Sequence, residues 1–400
     1  MVDAMPGGAP SEPEEIIAHD KCPHCGSTHL SYEIAARALR CADCRNTVPA
    51  LPVGDRFGAP EDIATLTGRH TSSGAMRILD TSAQVTIACQ GCGAEVSVDT
   101  DESLEARCHW CRQRLSINDQ IPNGAVPDGI LPFRVSKEEA MAKVNEFTAK
   151  RRFFAQRRFR EEFTAENVFG VYLPHIVADA RFTGRLEGSA EEHIRSYEVK
   201  TGDDSSTTYY DFDEYHLVRE LAVLADDITL EASSKRQIDT ALNTNNVINA
   251  VQPYPIEEAV EFRAHYLSGY NAERRDMDMS LLDQRLADSM LTVLREKADA
   301  SAQRYSRRGV RWEYEKAELL GTHEAAVYLP LWLYSYVERN ALPANHEGSR
   351  DLIHYIAVNG ITGKTMGSIP VNKGKLCGFS ALIAAAVTIP SSIAALGLLL

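Results

Sequence analysis

Lys21-Cys22-Pro23-His24-Cys25-Gly26, answered by Cys41-Ala42-Asp43-Cys44, is the stretch on which the reading of this chain turns. The pattern returns at Cys89-Gln90-Gly91-Cys92-Gly93 and Cys108-His109-Trp110-Cys111, again with fifteen residues between the inner cysteines. A C-x-x-C turn aims two sulfurs at one point, and a glycine after the second, Gly26 or Gly93, permits the tight turn. Two such turns complete a tetrahedral four-sulfur site with no open position, which is a structural rather than a catalytic seat. The spacing therefore predicts two zinc ribbons and two structural Zn2+ ions, held by Cys22, Cys25, Cys41 and Cys44 and by Cys89, Cys92, Cys108 and Cys111. His24 and His109 lie inside the turns, but four thiolates already close each site. Four pairs in two matched sets also argue against redox dithiols. A unit of ~30 residues buries little core, so metal would supply its folding energy.

Eight of the nine cysteines fall in these pairs, which points to a reducing compartment rather than disulfides. The chain has 400 residues, 44% apolar and 24% charged, which excludes a disordered, collagen-like or multi-pass membrane protein. A net charge of −14 excludes coating nucleic acid through the overall field. Residues 1–18, rich in Pro, Gly and Glu, read as a disordered tail without the features of a signal peptide. Residues 376–400 carry no charge and would extend ~37 Å as a helix, against a hydrocarbon core of ~30 Å. This predicts a transmembrane segment contacting membrane lipid, with Lys373 and Lys375 placing the bulk of the chain in the cytoplasm. A buried core helix or a hairpin broken at Pro390-Ser391-Ser392 are the other readings of that run.

The body has its own signals. Ser136-Lys137-Glu138-Glu139 has the capping-box pattern and opens a helix to about Lys150. Lys150 to Arg160 is the most basic stretch, with three Phe; it reads as a nucleic-acid or anionic-lipid surface, or as a solvated face paired with Glu161 and Glu162. Val171-Tyr172-Leu173-Pro174 and Val327-Tyr328-Leu329-Pro330 suggest a duplicated β unit, with each Pro at an edge or bulge. Leu282, Leu286, Met290, Leu294 and Ala298 mark an amphipathic helix. Gly360-Ile361-Thr362-Gly363-Lys364-Thr365 lacks the spacing of a phosphate loop and reads as a hairpin turn after Asn359. No nucleophile elbow, H-E-x-x-H or dinucleotide fingerprint is present, so the sequence offers no support for an enzyme.

The two ribbons, Leu131-Pro132-Phe133-Arg134, Gly170-Val171-Tyr172-Leu173-Pro174, Tyr266-Leu267-Ser268-Gly269-Tyr270 and Val358-Asn359-Gly360-Ile361-Thr362-Gly363-Lys364 together resemble the bacterial TFIIB-type zinc-ribbon-containing membrane protein family, the YdjG-like group. The resemblance implies cytoplasm-facing membrane proteins that associate with SPFH-type scaffold or phage-shock-type stress proteins, and carries over only the eight cysteines. The expected architecture is α+β: a zinc ribbon at 19–47, a linker at 48–85, a second ribbon at 86–118, a linker at 119–132, a mixed α+β domain with antiparallel strands at 133–375 and the transmembrane helix at 376–400. The expected function is a membrane-anchored zinc-ribbon adaptor recruiting protein partners, with membrane stress as its implied setting. The competing expectation is a nucleic-acid-binding factor using 150–160, which the ribbons' own charge balance makes the weaker.

Overall fold

The computed structural model describes residues 21–53, 63–72, 74–75, 84–88, 95–99, 126–200, 206–232, 250–273, 275, 277, 279–305, 309–338 and 352–384. A three-stranded antiparallel sheet comes first, β1 (Leu30–Glu33), β2 (Ala38–Cys41) and β3 (Thr47–Val48). β4 (Gly68–Thr71) follows, then the isolated hairpin β5 (Gln84–Ala88) and β6 (Glu95–Asp99). β7 (Gly129–Ile130) leads to helices α1 (Lys137–Arg151) and α2 (Arg157–Glu162), then to the long strands β8 (Phe169–Lys200) and β9 (Ser206–Glu231). β10 (Val260–Glu261), β11 (Asn271–Ala272) and helix α3 (Met279–Ser301) precede β12 (Val310–Glu338), β13 (Leu352–Asn359) and β14 (Thr365–Gly367). Helix α4 covers 373–384.

The fold is mostly β. Nine described strands form one mixed sheet, so the expected α+β balance is corrected: the strands dominate and the helices cover only parts of the sheet. The sequence hid this because each long strand reads locally as several short ones, divided by polar rows and by register shifts at Ala178/Ala180, His193/Arg195, Trp312/Tyr314 and Leu319/Gly321.

At the centre, the two Val-Tyr-Leu-Pro segments pair antiparallel with Leu173 opposite Leu329, Tyr172 opposite Pro330 and Pro174 opposite Tyr328. The pairing is symmetric about Leu173–Leu329, and so are its flanks. β11 lies parallel to β8 at Val171 and Tyr172; β7 lies parallel to β12 at Val327 and Tyr328. β9 begins to pair with β8 at His175; β13 begins to pair with β12 at Leu331. The chain thus contains two strand–helix–hairpin units, β7-α1-β8-β9 and β11-α3-β12-β13, which exchange their first strands. Each Pro sits one row before its outer neighbour strand begins, so its missing N–H falls where the ladder is not continuous.

Local signals hold in place. Ser136 accepts from the Glu139 N–H while Glu139 accepts from the Ser136 N–H, which closes the capping box of α1. Leu282, Leu286, Met290, Leu294 and Ala298 are all buried, the first two packing α3 onto Ile176, Ala178 and Leu230 and the last three onto Ala180, Phe182, Leu186 and Ala225. The turn after β13 is a hairpin, as expected, with its positive φ at Gly363. Asn359 is fully buried there: its Oδ1 accepts from Ile361 and Thr362 N–H, and its amide donates to the Val251 and Pro253 carbonyls.

The membrane expectation is also corrected. Among the described residues no helix is long and apolar enough to cross a bilayer. α4 begins before the uncharged run, at Lys373, and its described part to 384 spans only ~18 Å. The transmembrane segment and the membrane localisation expected from 376–400 therefore lack the helix they require; residues 385–400 lie outside the described residues.

The tight β8–β12 pairing yields a test. A Cβ on Gly188 would lie 2.2 Å from the Arg311 carbonyl oxygen, whereas one on Gly378 meets nothing within 4 Å. Gly188→Ala is expected to lose about 1–3 kcal/mol in urea unfolding, and Gly378→Ala to be neutral or slightly stabilising.

Candidate metal centre

Two matched turns build the site. In the first, Gly26 N–H donates to the Cys22 carbonyl (2.8 Å) and Cys22 N–H to the Ser27 carbonyl (2.7 Å). In the second, Arg45 N–H donates to the Cys41 carbonyl (3.0 Å) and Cys41 N–H to the Asn46 carbonyl (3.0 Å). Gly26 has φ +73° as the sequence required, and Arg45 takes the equivalent position at φ 62° without being glycine. Ser27 donates to Asp43, and His29 Nδ1 lies 3.2 Å from the same Asp43 oxygen, so one turn is laced to the other. The Ser27 bond, aided by His29, holds the Asp43 carboxyl below its ordinary range.

The four sulfurs converge, with Cys22 and Cys44 Sγ 3.5 Å apart and Cys25 and Cys41 Sγ 3.6 Å apart. Their protonation is uneven. Burial opposes the Cys41 thiolate, but the Cys44 and Asp43 N–H groups and the Cys25 and Cys44 thiols bring it down to about 6. The Ser27 N–H favours the Cys25 thiolate, yet burial and the three neighbouring sulfurs push it up to about 12. Four thiolates this close repel one another unless a cation sits among them. The donor set and its spacing fit a tetrahedral metal ion, so Cys22, Cys25, Cys41 and Cys44 could hold one. Cys89, Cys92, Cys108 and Cys111 lie outside the described residues; the β5–β6 hairpin between Gln84 and Asp99 is the described part of that region.

This centre is not a free-swinging module. Cys22, Leu30, Leu39, Cys41 and Val48 share one core with Phe133, Tyr172, Phe262 and Tyr266. The Tyr32 and Tyr266 rings lie 5.4 Å apart, and His265 Nε2 is 3.2 Å from the Thr28 carbonyl oxygen.

Three of the six positive charges of the basic stretch are paired with acids. Lys150, Arg157 and Arg158 pair with Glu146, Glu161 and Glu162 at 2.6–2.8 Å, and Arg151 stacks 3.6 Å over the Phe147 ring. Phe159 is buried, while Phe153 is 62% exposed and touches the edge of Phe154 and Phe379.

Sequence reading missed a second cluster. At the β8 bulge, buried Asp179 meets Asp226 and Asp227, with carboxylate oxygens within 4.8 Å of one another. Asp227 sits at φ 56°, and its N–H donates to Asp179 Oδ1 (3.0 Å). On β12, opposite Asp179, His323 places Nδ1 4.0 Å from Asp179 Oδ2, and His70 on β4 lies opposite His323. The one signal in the sequence is an acid inside the apolar run Ile176-Val177-Ala178-Asp179-Ala180. Burial, against the Asp227 N–H and with the Asp226 and Asp227 charges, raises Asp179 to about 7. Burial, Asp226 and Glu257 raise Asp227 to about 6. Burial and His70 lower His323.

Because Asp179 and Asp227 are raised above the ordinary 3.8, their contribution to stability is fully present below that pH and is lost as pH rises through about 6 and about 7. Asp179→Asn, which keeps an acceptor for the Asp227 N–H, is expected to flatten the fall in thermal midpoint between about pH 4 and 8 and to exceed the parent at the upper end. An unchanged pH profile counts against the shared burial of these carboxyls.

No family model matches this chain, and no solved structure matches it. The chain is 23% identical over 369 residues to a Bacillus subtilis (strain 168) protein named uncharacterized protein YdjG, across 92% of this chain and 95% of that one. This likeness supports the YdjG-like resemblance along nearly the whole chain, and the TFIIB-type ribbon rests on the cysteine spacing alone.

Proposed function

We propose that this chain is a zinc-stapled scaffold that recruits protein partners. The observation that carries the reading is the four-sulfur seat of Cys22, Cys25, Cys41 and Cys44, built into the same core as Phe133, Tyr172 and Tyr266. A cysteine-only tetrahedral donor set favours Zn2+, and with all four positions filled by protein the ion braces surfaces rather than activating water. On this reading the repeated spacing at Cys89, Cys92, Cys108 and Cys111 seats a second Zn2+. Recruitment of protein, rather than nucleic acid, is supported by the net charge of −14 and by the acid partners of Lys150, Arg157 and Arg158.

Metal analysis of the full chain tests the staple. The expected content is two zinc ions per chain, falling by one in the Cys41→Ser/Cys44→Ser variant. Chelation is expected to lower the melting midpoint of the whole body, because structural zinc supplies on the order of 10 kcal/mol to such units. A metal-free chain that melts identically with and without chelator overturns it. Steeply salt-dependent binding to duplex DNA or RNA would replace protein recruitment by the nucleic-acid reading.

A further inference from the structure

Three neighbouring strands each bring one side chain into a single row of polar contacts. Glu338 ends β12, His354 lies near the start of β13, and Ser368 immediately follows β14. Ser368 Oγ is 3.2 Å from His354 Nδ1, and His354 Nε2 is 2.8 Å from Glu338 Oε2. The other Glu338 oxygen, Oε1, accepts from the side-chain amide of Gln156. A carboxylate only accepts, so Nε2 carries the imidazole proton. Nδ1 is then the lone pair, and the Ser368 hydroxyl is its donor. Every proton in the row points the same way, from serine to imidazole to carboxylate.

The row is graded from solvent to interior. Ser368 is exposed, whereas His354 is buried. The backbone around the serine is held on both sides. Ser368 N–H donates to the Tyr355 carbonyl and Gln156 N–H to the Pro370 carbonyl, both at 2.9 Å. Asn372 N–H donates to the Phe154 carbonyl at 2.7 Å, and Ala155 bridges Val371. The strap that carries Ser368 is thus clamped to the same segment whose Gln156 holds Glu338. A surface hydroxyl fixed on the lone pair of a buried imidazole, itself oriented by a carboxylate, fills the roles by which a serine triad is recognised on any fold and in any chain order. No local motif announces it, because the three residues meet only when β12, β13 and β14 pair.

We propose that Ser368 is the nucleophile of an acyl-transfer site, with His354 as its general base and Glu338 positioning His354, acting on acyl esters that present their carbonyl at the protein surface. In the first step Ser368 Oγ bonds to the acyl carbon and its proton passes to His354 Nδ1. The bond from that carbon to the ester oxygen breaks, and the alcohol leaves with the proton from Nδ1. Water then attacks the acyl-serine and gives a proton to Nδ1, which returns it to Ser368 Oγ as the carboxylic acid departs. Glu338 keeps its charge throughout and stabilises the imidazolium formed in each half. The substrate class follows from placement, since an exposed hydroxyl meets a carbonyl that comes to it from solvent. This activity goes beyond the recruitment reading and does not depend on it.

The test uses the full chain with two probes: a fluorophosphonate, which bonds to a nucleophilic serine and releases fluoride, and p-nitrophenyl acetate as the ester. Mass mapping is expected to place the fluorophosphonate adduct on Ser368 in the folded chain and to find none there after unfolding in urea. Ser368→Ala is expected to remove the adduct and the burst of p-nitrophenolate while leaving the melting midpoint in place. Glu338→Gln, whose amide donates where the carboxylate only accepts, is expected to slow both reactions by about 100-fold or more. Glu338→Asp, which keeps the charge, is expected to recover part of that rate; a role in packing alone would give no such rescue. S368C leaves the buried imidazole untouched and gives a second reading. At about pH 6 its thiol is expected to react with iodoacetamide at least about tenfold faster than the exposed Cys377. No adduct on Ser368, an adduct formed equally by the unfolded chain, equal labelling of Glu338→Gln, or an S368C thiol no faster than Cys377 would each overturn the proposal.

Discussion

Leu173 opposite Leu329 is the row from which the architecture propagates. Around it Tyr172 and Tyr328 are buried with their ring centroids 6.2 Å apart, each one row from the dyad. Because the pairing is antiparallel and symmetric, it dictates that the first strand of each half lies beside the long strand of the other. β7 thereby reaches β12 and brings Phe133 against Tyr172, Tyr270 and Trp332, whose centroids lie 4.4–5.0 Å from it. The cysteine turns rest on that aromatic group through Tyr266 and Phe262. A change at the central row would therefore be felt at the metal seat, although no cysteine touches it in sequence.

Features with a local physical code are legible in the amino-acid sequence alone. The capping box of α1, the four-residue recurrence of α3 and the cysteine turns each depend on side chains within a few positions of one another. The repeated Val-Tyr-Leu-Pro is legible as a duplication, but not the fact that the copies pair with each other, since register is set by partners far along the chain. For the same reason β4 is invisible there: Gly68-Arg69-His70-Thr71 is polar and becomes a strand only because β12 offers its edge at Gly321 to Glu324. There Arg69 bridges the buried Glu324 and Asp283 of α3, at 2.9 and 2.8 Å. The Asp179 cluster has the same origin, because a bulge must align two strands before three carboxyls can meet.

The basic stretch and the uncharged C-terminal run show where composition misleads. Six positive charges in eleven residues look like a surface for polyanions until α1 and α2 form and set acids four residues from three of them. The uncharged run from Leu376 meets a length criterion on paper. Its described helical part starts instead at Lys373, with Lys375 close to the Phe153 ring, and Phe379 edge-on to Phe154 at 5.6 Å. In both segments the decisive quantity is which neighbour the backbone geometry supplies.

The far rows of β8, Glu191 to Lys200 paired with β9, follow from a mismatch of lengths. α3, at 23 residues, covers ~35 Å, whereas β8, at 32 residues, runs ~105 Å. One helix can bury only about a third of such a strand. The end near the dyad is covered by the aromatic group, the cysteine turns and α1, and the middle by α3 through Leu294 against Phe182 and Leu186. Ala190 and Leu217 are closed over by Ala302 and Tyr305, and beyond them the described core offers nothing more. Over those last rows the two long strands hold together through their own cross-strand pairs, Tyr197 on Tyr209 and Arg195 with Asp211.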